Sequence, residues 1–173
     1  MDDEYMDRVL AGDTKAYRHF LTNYKDMAFN IAVSIVKDDH YAEEIVQDAF
    51  MQAFSGLKSF KRTTSFKNWF YRIIVNESFQ RLRKLKKNRF IQPVAEVKDS
   101  VVDSTQEGQS EKIALVLHAI QALPANESLA LTLFYQQENS LKEIVEITGW
   151  SMANTKVILH RARKSIRTHL GID

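Results

Sequence analysis

The sequence predicts an all-α protein: two small helical domains, the second with a helix-turn-helix, joined by a flexible acidic linker. Apolar residues recur at steps of three and four along much of the 173-residue chain, which is the spacing of a helix face. Only five Gly and two Pro occur, and no alternating strand pattern persists. The stretch from Ala95 to Gln109 is polar, acidic and without apolar periodicity. It divides the chain into a first domain over 1–93, a linker over 94–110 and a second domain over 111–173.

The first domain is predicted to contain three helices. One begins at Asp13, a good N-cap, and a second follows Asp38 and ends at Gly56. After a loop, Ser65 can cap a third helix that runs to about Lys87. Most aromatic residues of this part lie on apolar helix faces and are expected in the core.

The second domain is predicted to begin near Glu111, and Pro124 lies near the start of its next helix, where its missing N–H costs nothing. Ser140 and Glu143 form a capping box for a helix that runs to Thr148. Gly149 suits the left-handed turn that follows, and Ser151 can cap the last helix. Helix, tight turn and helix make up the motif that places its second helix in the DNA major groove.

The outer face of the last helix is basic. Arg and Lys pair with guanine edges or phosphates, and small apolar groups such as Val157 suit thymine methyls. The inner face groups Thr155, Ile158, Leu159, Ala162 and Ile166. A surface helix with cations near its C-terminus is the alternative, since cations complement the helix dipole there. That alternative accounts for Arg163 to Arg167 but leaves Lys156 and His160 unexplained.

Charge is grouped along the chain although the net charge is only +2. Residues 1–57 hold 11 acids and 5 bases, whereas residues 58–90 hold 11 bases and one acid, Glu77. Aromatic side chains are interleaved with these bases, and those of the loop over 59–66 are expected to be exposed. Bases hold a phosphate backbone and aromatics can stack on unpaired bases, so this block favours a nucleic-acid partner.

Composition limits the other possibilities. The chain has no Cys, so neither disulfides nor a Cys-ligated metal site is expected. No apolar run approaches the roughly 20 residues that span a bilayer, and the acidic N-terminus is unlike a secretory signal. We therefore expect a cytoplasmic protein. The sequence also has no metal-binding histidine spacing and no nucleotide-cradling glycine loop, so we expect no cofactor, no metal and no catalytic residues.

Several motifs, in order and at matching spacing, resemble those of the extracytoplasmic-function (ECF) sigma factors, and the resemblance covers almost the whole chain. The motifs are Gly12-Asp13 with Ala16-Tyr17, the segments 42–50 and 66–76, Leu123-Pro124, and the segments 144–149 and 159–163. The resemblance implies a non-enzymatic initiation factor with two helical domains that binds core RNA polymerase and promoter DNA. It also implies control by an anti-sigma factor, and we expect a monomer.

The resemblance assigns roles to particular residues. Docking on the β′ clamp of the polymerase, with the β subunit as a further contact, is implied for Glu44, Gln47, Asp48 and Phe50. Capture of a flipped base of the −10 element is implied for the loop residues Ser59, Phe60, Lys61, Arg62, Thr63, Thr64, Ser65 and Phe66. Contact with a neighbouring base is implied for Asn76, and contact with the backbone for Arg81, Arg83 and Lys84.

Reading of the −35 element is assigned to the outer face of the last helix: Ala153, Asn154, Lys156, Val157, His160, Arg161 and Lys164. Here the chain departs from the common family pattern of Gly-Thr-Val-Lys-Ser-Arg, because Val157 and Ile158 replace its serine and arginine. These changes should alter base preference.

Two other functions are compatible with parts of the sequence. A dimeric helix-turn-helix regulator would use residues 111–173 but would leave the basic aromatic block without a role. A nucleic-acid enzyme could hold a metal on Glu43, Glu44 and Asp48. The dipole at the start of their helix and a docking face explain these carboxylates more simply.

Overall fold

The computed structural model describes residues 1–89 and 108–172, and within them every regular element is helical, as the sequence predicts. Eight α-helices follow one another in the described ranges: α1 Asp2–Leu10, α2 Arg18–Val36, α3 Asp39–Gly56, α4 Phe66–Arg89, α5 Gln109–Ala122, α6 Ala125–Leu131, α7 Leu141–Thr148 and α8 Met152–Leu170. In the described part of the chain, no helix has the length and apolarity to cross a membrane. Of the predicted linker over 94–110, residues 94–107 lie outside the described part of the chain.

The helical segment predicted to start at Asp13 does start there, but as a 3-10 turn and without the predicted side-chain cap. Asp13 makes no side-chain cap, and its carboxylate is engaged instead by the Arg8 guanidinium at 2.8 Å. A short 3-10 turn over Thr14–Tyr17 follows, and α2 begins only at Arg18. The preceding helix α1, which supplies Arg8, was not predicted from the sequence.

Polar and aromatic contacts hold α1 against α2. One Asp2 carboxylate oxygen accepts a hydrogen bond from the Tyr24 hydroxyl at 2.6 Å, and the other lies 2.7 Å from His19 Nε2. Tyr5 stacks on the His19 ring at a centroid distance of 3.9 Å. Polar groups therefore supply much of the specificity of this contact.

The side-chain cap predicted at Ser65 is confirmed, and Asp38, after which a helix was predicted, caps α3. The Tyr41 N–H donates to Asp38 Oδ1 at 2.9 Å, and the Asn68 N–H donates to Ser65 Oγ at 3.1 Å. Helix α3 ends at Gly56, as predicted, and passes into a 3-10 turn over Leu57–Ser59. A Cβ at Gly56 would lie 3.3 Å from the Trp69 ring, so this glycine permits close packing of α3 on α4.

Helices α2, α3 and α4 pack together around an aromatic core. Phe20 and Phe70 are fully buried, and the Phe20 ring lies 4.2 Å from that of Phe66. Phe50 contacts Phe70 at 4.5 Å, and its carbonyl accepts a hydrogen bond from the buried Tyr17 hydroxyl at 2.7 Å. Buried polar and aromatic groups thus fix the relative positions of the three helices.

The helix-turn-helix is formed as predicted. The Ser140 N–H donates to Glu143 Oε2 at 2.7 Å, and the Glu143 N–H donates to Ser140 Oγ at 3.2 Å, which completes the capping box. Gly149 ends α7 with φ of 76°, a left-handed conformation that favours glycine. Ser151 Oγ accepts from the Asn154 N–H at 3.1 Å and begins α8.

The two helical units pack directly against each other, which was not predicted. Leu129, Leu133, Ile144 and Ile147 of the second unit are all fully buried in the same apolar cluster as the core of the first. The Tyr71 hydroxyl also lies 3.3 Å from Gln137 Oε1 across the contact. Burial of large aliphatic side chains makes this interface a substantial one.

Lys37 provides a pH-dependent test of this interface. It ends α2 with φ of 59°, and its Nζ lies 3.5 Å from the Ile120 carbonyl of the second unit. Burial lowers the pKa of the Lys37 ammonium to about 8. In the unfolded chain the pKa of a lysine is about 10.4. Between these two pKa values the unfolded chain binds more protons than the folded chain, so folding stability rises with pH.

We therefore expect Lys37→Met to be more stable than the native chain at pH 7, and the difference to shrink between pH 8 and 10. Methionine is also unbranched, though one atom shorter, and it incurs the same cost of the left-handed backbone but carries no charge. Urea unfolding at several pH values measures the difference. A difference that stays constant over this range would show that the ammonium is not desolvated.

Candidate nucleic-acid interface

A cleft lies between the loop that follows α3 and the first turns of α4. Its volume is about 430 Å³, within the range of pockets that hold small ligands. It is lined by Ser59, Phe60, Lys61, Thr63, Thr64, Asn68, Trp69, Arg72 and Glu146. The cleft thus combines aromatic rings, hydroxyl and amide groups and two basic side chains, all of which suit a nucleobase and its phosphate.

The aromatic wall of the cleft is ordered by stacking. The Phe60 ring lies parallel to the Trp69 ring, with 20° between their planes and 4.5 Å between their centroids. Both side chains are partly exposed. Asn68, Trp69 and Arg72 lie at three- and four-residue steps on α4, so one helix face supplies them.

Asn68, Trp69 and Arg72 were missed as site residues by the sequence reasoning. Trp69 was assigned to the core, and the other two received no role. The helical spacing that continues from the loop onto α4 was the signal that could have found them. Asn68 is 6% exposed, and its Oδ1 has no hydrogen-bond partner among the described residues.

Phe66 was predicted to be an exposed member of the loop, and this is wrong. It is 2% exposed and is the first residue of α4, where it packs on Phe20 and Phe70. The rotation of α4 against α2 turns this ring inward. Phe66 therefore shapes the cleft from beneath rather than lining it.

Some of the remaining loop residues line the cleft, and others anchor the loop to α1 or cap α4. Arg62 has φ of 54° and its guanidinium lies 2.6 Å from the Asp7 carboxylate, which ties the loop to α1. Ser65 is exposed, but its hydroxyl is engaged in capping α4. Lys61, Thr63 and Thr64 line the cleft.

Downstream on α4, Asn76, Arg83 and Lys84 are exposed, in keeping with their assignment to a DNA-facing surface. Arg81 differs, because its Nη1 lies 2.6 Å from Glu44 Oε2 and its guanidinium lies over the Tyr41 ring. This hydrogen bond lowers the pKa of the Glu44 carboxyl. The structure thus joins two residues that the sequence assigned to separate sites.

The surface assigned to polymerase docking lies on α3. Gln47 is exposed, Glu44 and Asp48 are half-buried, and Asp48 lines a shallow groove with Met51, Gln52 and Ser55. Met51 is 62% exposed, so an apolar group lies beside the acids. An acidic rim around an exposed methionine is suited to a partner that is both basic and apolar.

Phe50 does not belong to this exposed surface. The sequence placed it with the docking residues, but it is 6% exposed and packs against Tyr17 and Phe70. It lies on the inner face of α3, where it positions the helix. The expectation that its side chain contacts a partner is therefore corrected.

The outer face of α8 is free for a partner along its length. Ala153, Asn154, Lys156, Val157, His160, Arg161 and Lys164 are all exposed. Thr155, Ile158, Leu159 and Ala162 are buried, as predicted. Arg163, on the flank, has its Nε 2.8 Å from the Tyr135 hydroxyl and its guanidinium over the Phe134 ring. That cation braces α8 against the turn that follows α6.

Each of the two helical units matches a known protein-family model. A family model for Sigma-70 region 2 matches residues 20–88, and a model for Sigma-70 region 4 matches residues 113–166. The chain is 30% identical over 152 residues to the RNA polymerase sigma factor SigV of Bacillus subtilis (strain 168), covering 87% of this chain and 88% of that protein. It is 28% identical over 174 residues to the ECF RNA polymerase sigma factor SigW of the same organism, covering 94% and 93%.

Solved structures share the fold. The sigma factor RpoE, in complex with the anti-sigma factor NepR from Bartonella quintana, superposes with a TM-score of 0.78 at 23% identity, covering 92% of this chain and 99% of that one. CnrH in complex with the cytosolic domain of CnrY superposes with a TM-score of 0.70 at 18% identity, covering 98% and 96%.

The two helical units, one with a basic aromatic cleft and one with an exposed helix-turn-helix, define a sigma factor for transcription initiation. More specifically, the chain belongs to the ECF RNA polymerase sigma factors. Such proteins are initiation factors rather than enzymes, and they bind core RNA polymerase and promoter DNA.

Proposed function

We propose that residues 1–93 form a unit that docks on the polymerase and melts the −10 element, and that residues 111–173 read the −35 element. Residues 94–110 would connect the two. The observation that carries this division is the pair of basic surfaces on separate units: the cleft with its Phe60–Trp69 stack, and the exposed outer face of α8.

The cleft is suited to hold one flipped base of the non-template strand. Extracting a base costs a few kcal/mol, and a pocket with stacking and hydrogen bonds can offset that cost. Trp69 and Phe60 supply aromatic surface, and Thr64 and Asn68 supply donors. Arg83 and Lys84, farther along α4, would hold the backbone beside the melted base, and Asn76 would contact a neighbouring base.

The surface around Glu44, Gln47 and Asp48 would dock on the β′ clamp, with the β subunit as a second contact of the factor. An anti-sigma factor would regulate the protein by covering these surfaces, a proposal that the two structural relatives solved with anti-sigma partners motivate. We further propose that the free protein is a monomer.

Run-off transcription tests the function directly. The purified protein and sigma-free core polymerase would be incubated with fragmented genomic DNA, and transcript ends would be sequenced. Discrete start sites that require the protein, preceded by shared elements near −10 and −35, are the expected result. DNA binding without any new transcript would instead favour a dimeric helix-turn-helix regulator.

Arg161→Ala tests the reading face of α8. Loss of a well-formed contact from an arginine to a base edge costs about 1–3 kcal/mol. We therefore expect weaker binding to −35 duplex DNA by about that amount, with discrimination relaxed at one position. Fluorescence anisotropy on matched and substituted duplexes measures both effects.

Arg167→Ala is the matched control, because Arg167 is exposed in the last turn of α8, beyond the residues assigned to base contact. It removes the same charge and should weaken binding to all sequences equally and only slightly. If Arg161→Ala behaved in the same way as this control, Arg161 would contact phosphate and not a base.

A further inference from the structure

A side chain of the second unit reaches the wall of the cleft in the first unit, although it stays partly open to solvent. Glu146, on α7, is one of the residues that line it. Its Oε2 accepts one hydrogen bond from the Thr64 hydroxyl at 3.0 Å and another from Asn68 Nδ2, also at 3.0 Å. A carboxylate that α7 carries thus engages the donors on the cleft wall.

A base that accepted hydrogen bonds from Thr64 and Asn68 would compete with Glu146 for the same donors. Thr64 and Asn68 are the donors with which the cleft would recognise an acceptor on a nucleobase. Lys61 and Arg72, which also line the cleft, favour an anionic group there. The carboxylate therefore satisfies the groups that nucleic acid would otherwise satisfy.

Other contacts hold Glu146 in this position. Lys67 Nζ lies 3.8 Å from Glu143 Oε1 one turn earlier on α7. On the inner side of the same helix, Ile144 and Ile147 are fully buried in the apolar cluster shared by the two units. Withdrawing Glu146 by separating the units would expose these side chains, so opening requires a partner that compensates for the lost burial.

The same packing leaves the reading face of α8 uncovered. Lys156, Val157, His160 and Arg161 are all exposed while Glu146 lies in the cleft. The closed arrangement therefore blocks one of the two DNA surfaces and leaves the other available.

We propose that Glu146 is a built-in competitor for the −10 base, which keeps the free protein from binding single-stranded promoter DNA until the two units separate on the polymerase. This inference rests on the proposed function of the cleft. It assigns to the free chain a closed state with an available −35 surface and a blocked −10 surface. The affinity of the free chain for the −10 strand is then lower than that of the open state, in proportion to the fraction of molecules that are open.

Glu146→Ala tests the proposal in the full-length chain. The probe is a single-stranded oligonucleotide with the non-template −10 sequence of a promoter identified by run-off transcription. We expect the variant to bind it about tenfold more tightly than the native chain, because the charged competitor and both of its hydrogen bonds are lost. Glu146→Gln, which retains an acceptor but no charge, should give an intermediate gain.

Glu111→Ala is the charge-matched control, since Glu111 is exposed on α5. It should leave single-strand binding unchanged, and all variants should bind −35 duplex as the native chain does. Equal single-strand affinity of the native chain and Glu146→Ala would overturn the proposal. So would an equal gain with Glu111→Ala, because a general charge effect would then explain it.

Separation of the units is measured independently. The chain has no native Cys, so Thr22→Cys with Thr168→Cys gives two exposed sites for a donor–acceptor label pair. The distance should lengthen when core polymerase is added, and an unchanged distance would contradict the opening step. Failure of the native chain to produce any transcript would remove the proposed function. Transcripts together with unchanged oligonucleotide affinity would remove only the role of Glu146.

Discussion

Replacing Asp48 with lysine is expected to weaken binding of the chain to core RNA polymerase by on the order of a hundredfold or more, since like charges at an interface cost several kcal/mol. Asp48 lies on α3 beside the exposed Met51, where the proposed partner surface is basic. Asp48 is half-buried and lines the groove of the proposed docking surface, so a lysine there would place its ammonium at that surface. Binding is measured by pull-down with sigma-free core enzyme.

Asp26→Lys is the matched control for this experiment, because Asp26 is an exposed acid on α2, whereas the proposed docking surface lies on α3. It should bind the polymerase as the native chain does. Both variants should retain −35 duplex binding and helical circular dichroism, which separates docking from folding. Normal polymerase binding by Asp48→Lys would place the docking surface elsewhere.

Phe20→Ala is expected to lower the free energy of unfolding by about 3–5 kcal/mol, the usual cost of removing a buried aromatic ring. Phe20 is fully buried, with its ring 4.2 Å from that of Phe66 and 5.6 Å from that of Tyr17. Because Phe66 begins α4, the cavity would also loosen the base of the cleft. Urea unfolding followed by circular dichroism measures the loss.

Phe54→Ala provides the comparison, since Phe54 is 41% exposed, with its ring 5.0 Å from that of Tyr17 in a T-shaped arrangement. Its loss should cost about 1 kcal/mol or less, as is usual for surface positions. Equal destabilisation by the two substitutions would show that the aromatic core is not centred on Phe20.

The proposed closed state would regulate the two DNA-binding surfaces, the cleft and the outer face of α8, differently. In the free chain, α7 contributes both to the helix-turn-helix and, through Glu146, to the cleft of the first unit. Polymerase binding would then change the availability of the −10 surface without any change in the −35 reading face. An initiation factor built in this way would bind melted promoter DNA only when it is itself bound to RNA polymerase.

Predictions of helix caps, which depend on residues close together in the sequence, were mostly correct. The caps predicted at Ser65, Ser140 and Ser151 are all formed, because each joins a side chain to a backbone group three residues away. Asp13 is the exception, since Arg8 of an unpredicted helix engages its carboxylate. A competing ion pair across a turn cannot be read from capping preferences alone.

Predictions about individual side chains depended on how the helices rotate against one another. Phe50 and Phe66 were assigned to exposed surfaces, but the packing of α3 and α4 turns both rings inward. Trp69, expected with the core aromatics, does pack partly against the core, and it also forms a wall of the cleft with Phe60. An amphipathic pattern identifies an apolar face but does not specify which aromatic at its margin is covered.

The sequence by itself determined that the chain is helical, that it carries a helix-turn-helix and which side chains form the outer face of α8. These features follow from spacings of three and four residues and from local caps, which act within one helix. Only the tertiary structure decided that Arg81 pairs with Glu44 and that Glu146 enters the cleft of the first unit. Those contacts join residues 37 to 82 positions apart, so they exist only because whole helices pack at particular angles.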